Sequence, residues 1–123
     1  LNRALHRAIV DGLVRACHDL SEGGLGVAAA EMCIAGRLGM RIGISTIHPT
    51  AHVALFSESN GRYLITVQAA HAARFESRMR KYTCKRIGVV TRGEMLDVEG
   101  KFAVSVEELC AAWKHGGESY AGE

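Results

Sequence analysis

A chain of 123 residues with a formal net charge of +2, 48% hydrophobic and 23% charged, has the balance of one folded domain with a single core. So small a basic excess, with no basic run interleaved with aromatics, argues against nucleic acid as a partner. No apolar stretch approaches membrane-spanning length and no secretory leader pattern opens the chain, so the expected compartment is the cytoplasm.

Arg3 to Arg15 carries Leu5, Ala8, Ile9 and Leu13 at helical spacing, with Gly12 as its stop. Val14 to Cys17 reads as a short buried strand. Gly24 to Ala35 is predicted as a helix closed by Gly36, with Leu25, Ala28, Ala29 and Met32 as its apolar face. Met40 to Ile44 alternates like a strand with one wet face, and Ser45 to Val53 is a loop holding Pro49, the only proline. Arg62 to Val67 is a strand with Tyr63, Ile65 and Val67 on one side. Ala69 to Tyr82 is a helix and Cys84 to Gly93 a strand. Met95 to Val98 and Lys101 to Val104 form a hairpin about Glu99-Gly100. Val106 to Trp113 is the last helix. Residues 116–123 have no pattern and read as a disordered tail, which leaves 1–115 as the domain. Helices interleaved with strands, some of them joined by hairpins, indicate an α+β fold: a layered mixed sheet covered by helices.

The chemistry concentrates at the predicted strand-to-helix corner His18-Asp19-Leu20-Ser21-Glu22-Gly23-Gly24-Leu25-Gly26. Asp19 is a hard oxygen ligand of the kind Mg²⁺ prefers. Ser21 can cap the helix, whose first N–H groups favour an anion. Gly23 and Gly24 let the backbone turn tightly and approach a ligand. The same residues also suit an ordinary capped turn, and they match neither the Walker pattern nor the three spaced glycines of dinucleotide sites.

Other clusters are weaker. Cys17, Cys33, Cys84 and Cys110 have no zinc-site spacing and are expected as buried free thiols. Of the six histidines only His18 stands in a patterned context, and the others are expected on the surface. Arg78-Met79-Arg80-Lys81 reads as a solvated helix end.

Three segments carry a family resemblance. Residues 16–25, followed by Ala30-Glu31-Met32, resemble the His-Asp-x-Ser-x-Gly-Gly-Leu signature in the C-terminal domain of the AIR-synthase-related superfamily. Within it, the closest likeness is to the phosphoribosylformylglycinamidine synthase family. Leu55-Phe56-Ser57-Glu58-Ser59-Asn60-Gly61-Arg62 is similar to that family's Leu-Phe-x-Glu-Ser-x-x-Arg segment, with Asn60 where Gln is usual. Ile87-Gly88-Val89-Val90-Thr91 resembles a strand near the domain's end, and Ser105 to Trp113 resembles the final helix.

The resemblance implies a partly ferredoxin-like layered domain, with a short helix before the Leu-Phe segment. It implies an enzyme that uses ATP and Mg²⁺ to convert formylglycinamide ribonucleotide and glutamine-derived ammonia to the amidine, in purine biosynthesis. Asp19 would bind Mg²⁺, and Ser21, Gly23 and Gly24 the nucleotide. Glu58, Ser59 and Arg62 are candidate substrate contacts, and His18 a structural member of the motif. The implied partners are an N-terminal ATP-binding domain and a glutaminase domain or subunit. Because the chain opens on Leu1 and not on Met, it is expected to be a fragment, inactive alone and able to pair with a second copy through a face its missing half would cover. Two alternatives stay open. One is a relative such as AIR synthase, selenophosphate synthetase or the hydrogenase maturation factor. The other is a non-catalytic scaffold whose glycine corner only shapes the chain.

Overall fold

The computed structural model describes residues 2–20, 23–57 and 62–121. In chain order these form α1 (Asn2–Val10), β1 (Ala16–Asp19), α2 (Gly24–Gly36), β2 (Gly39–Ile42), α3 (Ala51–Phe56), β3 (Tyr63–Thr66), a 3₁₀ turn (Ala69–His71), α4 (Ala72–Arg78), β4 (Gly88–Thr91), β5 (Met95–Val98), β6 (Phe102–Ser105) and α5 (Val106–Ala121). The fold is α+β, with two sheets. β1 and β3 pair antiparallel as a ribbon, and a mixed four-stranded sheet runs β4-β2-β5-β6. Its one parallel pair, β2 with β5, sets Met40, Arg41 and Ile42 against Leu96, Asp97 and Val98.

The strand period explains the core. Met40, Ile42, Leu96 and Val98 face inward under α2 and α5, while Arg41 and Asp97 face outward and pair at 3.8 Å. Leu25, Ala28, Ala29 and Cys33 of α2 complete this layer with Leu55 of α3 and Val106 of α5. Burying each large aliphatic side chain here contributes about 2 kcal/mol. A second cluster joins Leu5, Ala8 and Leu13 to Phe75 and Met79 of the α4 segment. β3 divides the two: Leu64 enters the first cluster, and Tyr63 and Ile65, with Val67 beyond them, pack on the second. The side of the strand that carries Tyr63, Ile65 and Val67 is thus as the alternation requires.

Several boundaries differ from expectation. The strand expected over 14–17 begins two residues later, and Ala16, Cys17 and Asp19 are exposed because the ribbon has no third strand or covering helix on that side. Gly36 remains helical, and Arg37, in the left-handed conformation at φ 51°, ends α2 by returning its N–H to the Cys33 carbonyl. The loop expected over 45–53 gives its last three residues to α3, the short helix implied by resemblance. The helix expected over 69–82 splits into the 3₁₀ turn and α4; Met79, outside helical geometry and 3% exposed, turns the chain into the second core. Met79 therefore makes the basic stretch less than fully solvated, and Arg78 is tied to Asp11. The strand expected over 84–93 contracts to β4, since Cys84, Lys85 and Arg86 are exposed and Lys85 Nζ donates to the Thr46 carbonyl at 2.7 Å.

The β5–β6 hairpin turns at Gly100 as expected, pairing Val98 with Phe102. Ser105 Oγ then accepts the Glu108 N–H at 3.0 Å and starts α5, whose first turn carries Glu107 and Glu108. All four cysteines are free; Cys33 is buried, but Cys17 and Cys84 are exposed, one on the uncovered ribbon and one in the segment before β4. Among the described residues, no helix is long and apolar enough to cross a membrane.

Candidate functional site

The corner is set by two glycines. Gly23, at the N-cap position of α2, has φ 75°, and Gly24 follows at φ 66°. Successive residues in this left-handed region favour glycine strongly. Space forbids a side chain as well: a Cβ on Gly24 would lie 2.6 Å from the Ser57 carbonyl oxygen and 2.9 Å from that of Leu55. A Cβ on Gly23 would lie 2.2 Å from Val27 Cγ2. α2 therefore begins pressed against the end of α3. Gly23 occupies the N-cap position and makes no side-chain cap hydrogen bond.

The two motif segments converge here. Residues 16–19 of the first pair in register with 63–66, and Asp19 stands opposite Tyr63. The Leu20 N–H donates to the Arg62 carbonyl at 3.0 Å. On the other side of the corner, Gly24 packs on the Leu55 and Ser57 carbonyls. Segments about 35 residues apart in sequence thus enclose one small region from both sides. Asp19 lies exposed at the end of β1. Arg62 lines a cleft of about 1120 Å³ with Leu20 and Leu25 in its floor and Lys81, Lys85 and Arg86 also on its walls. Ser21, Glu58 and Ser59 lie outside the described residues.

His18 braces the corner. Its Nδ1 donates to the Asp19 carbonyl at 2.8 Å, and its Nε2 meets Glu31 Oε2 of α2 at 2.5 Å. Both partners are acceptors, so both ring nitrogens carry hydrogens only in the imidazolium form. The Asp19 carbonyl raises the His18 pKa most; part burial opposes it, and the Glu31 carboxylate raises it further. Burial, and then the nearby Asp19 carboxylate, push the neighbouring Cys17 thiol up. Glu31 stands within the signature, but the sequence alone does not tie it to His18. The available signal was a lone carboxylate between Ala30 and Met32 on an otherwise apolar helix.

Among the described residues, no group of three His, Cys, Asp or Glu side chains could cage a metal. A single exposed carboxylate suits a different mode. Mg²⁺ is usually held through one or two carboxylates, with waters and ligand phosphates filling the remaining positions. Asp19 fits that mode beside backbone amides at the start of a helix, where negative charge is favoured.

Comparison with known proteins follows the same lines. Residues 1–101 match the family model described as AIR synthase related protein, C-terminal domain. Over 106 residues the chain is 47% identical to the phosphoribosylformylglycinamidine synthase subunit PurL of Parafrankia sp., covering 83% of this chain and 14% of that protein. Over 112 residues it is 44% identical to the subunit of the same name from Mycobacteroides abscessus, covering 89% and 15%. The chain therefore spans about one seventh of the length of these relatives. Among solved structures, Thermotoga maritima PurL complexed with FGAR superposes with a TM-score of 0.76 at 23% identity, covering 87% of this chain and 20% of that one. E. coli HypE, a hydrogenase maturation protein, gives 0.65 at 19% identity, covering 85% and 38%. These two likenesses are of fold.

Proposed function

This chain belongs to the family of AIR synthase related C-terminal domains, and from that membership we propose that it serves within an ATP-dependent phosphoribosylformylglycinamidine synthase. The reaction converts formylglycinamide ribonucleotide, ATP and ammonia to formylglycinamidine ribonucleotide, ADP and phosphate. The observation that carries this reading is that the described parts of the two segments most like the synthase family, residues 16–20 and 23–25 of one and 55–57 and 62 of the other, meet at one corner. A domain that served only as a scaffold would not need both segments at the same place.

In this reading Asp19 holds Mg²⁺, while Ser21 and the backbone of Gly23 and Gly24 receive a nucleotide phosphate. The metal supplies charge neutralisation at the phosphates. The chain's own part is to fix the carboxylate at the end of β1 and to aim the start of α2, both preorganised before ligand arrives. His18 acts as a positioning residue by tying the strand end to α2 through Glu31. Arg62, with Glu58 and Ser59, would contact the ribonucleotide substrate. A glutaminase domain or subunit would deliver the ammonia; the designation of the relatives as a subunit supports such a partner.

Asp19→Asn in the full-length synthase that contains this domain tests the assignment. The substitution keeps the shape of the side chain and removes its charge. Mg²⁺-dependent nucleotide binding should fall by roughly tenfold or more with the melting temperature unchanged. Unchanged binding measured by calorimetry would sink the Asp19 assignment and favour the scaffold reading.

A further inference from the structure

Arginine gathers on one face of the molecule well beyond the overall charge. Arg3 and Arg7 lie one turn apart on α1, and Arg74 and Arg78 one turn apart on α4. Like charges at that spacing disfavour each helix. The two helices share the second core, and between them a concavity of about 520 Å³ is lined by Arg3, Ala4, Arg7, Asp11, Arg78 and Tyr82. The Arg78 guanidinium donates to the Asp11 carboxylate and clamps the end of α1 to α4. The hydrogen bond and charge of Arg78, with Arg7 and Arg74 behind them, hold the Asp11 carboxyl below the usual carboxylate range.

Three guanidiniums, those of Arg78, Arg7 and Arg74, thus act on one carboxylate, a local excess of two positive charges, and Arg3 adds a further cation to the groove. Arg3, Arg7 and Arg74 make no ion pair among the described residues. Glu76, the one acid of α4, lines the larger cleft that Arg62 also lines. Asp11 orients one arginine and leaves the others uncompensated.

We propose that the α1–α4 groove is an anion site for the phosphate of a small phosphomonoester, separate from the glycine corner. Arginine's planar fork matches phosphate oxygens two at a time. The concavity lies within the size range of small-molecule pockets, and Tyr82 offers an aromatic wall for the body of the ligand. A broad acidic protein surface would need no such recess. The groove shares Tyr82 with the cleft that Arg62 lines, but Arg3 and Arg7 line the groove alone, so substituting them tests it apart from the corner.

Calorimetric titration of the purified protein with inorganic phosphate and pyrophosphate, at ionic strength fixed with potassium chloride, is the test. Arg3→Gln combined with Arg7→Gln should weaken both ligands roughly tenfold or more, leaving the Arg78–Asp11 clamp and the melting temperature intact. Lys101→Gln, on the remote β5–β6 hairpin, should leave both affinities unchanged. Absence of phosphate binding to the unaltered protein at millimolar concentration would overturn the proposal, as would equal losses in both variants. Retained affinity in the double arginine variant would place phosphate elsewhere. A tetraglutamate peptide binding more tightly than pyrophosphate would replace the proposal with an acidic protein partner.

Discussion

Gly24 meets two demands that no other residue type meets together. Its φ of 66° costs any residue with a Cβ about 1 to 2 kcal/mol, and its flank is closed by the Ser57 and Leu55 carbonyls. Gly12 separates the two demands, since its φ is 77° but nothing lies within 4 Å of where its Cβ would be. Gly12→Ala should therefore cost about 1 kcal/mol of strain alone, and Gly24→Ala about 3 kcal/mol once overlap with α3 is added. Urea unfolding of the two variants checks the difference. Equal losses would mean that the corner yields and that α2 is not pressed on α3. Sequence alone reads Gly12 as a helix stop and Gly24 as a turn residue. The close carbonyls that distinguish them come from a segment more than thirty residues away.

Between elements, the tie from β1 to α2 runs through one histidine. The His18 pKa is raised, so the stability it contributes is fully present below its ordinary value of 6.5. That contribution is lost as pH rises through the higher folded-state value. With both side chains about one-third exposed, the tie is worth on the order of 1 kcal/mol after solvent screening. Glu31→Gln should lower the melting temperature by a few degrees at pH 6 and by less at pH 9. A loss that does not change with pH would refute an ionic tie. The β5–β6 hairpin and the alternation of β3 stand in the sequence, whereas α2 shows there as an apolar run whose buried face only packing selects. The ends of the elements are less legible. Arg37, not Gly36, closes α2 in the left-handed conformation, and α4 stops at Arg78 without a Gly or Pro because Met79 is drawn into the second core. The exposure of β1 was also hidden, since it depends on the ribbon having only two strands.

At the scale of the molecule, two apolar clusters share β3, and the corner lies where the ribbon, α2 and α3 meet. This layout explains how a small domain brings two distant segments together with short local elements. The corner and its family likeness were legible in the order of residues 16–25 and 55–62. The brace through Glu31 and the arginine groove were not, because each joins residues whose proximity only the fold creates. The central proposal is that these segments serve a synthase in which the substrate amide oxygen takes the terminal phosphoryl group of ATP, releasing ADP, before ammonia displaces it as phosphate. The most direct measurement gives the full-length synthase that contains this domain formylglycinamide ribonucleotide carrying ¹⁸O at the amide carbonyl, with ATP, Mg²⁺ and ammonia, and reads the isotope in the released phosphate. The account predicts that the label moves into phosphate as ADP forms. Phosphate released without label, or no substrate-dependent ADP, would contradict it.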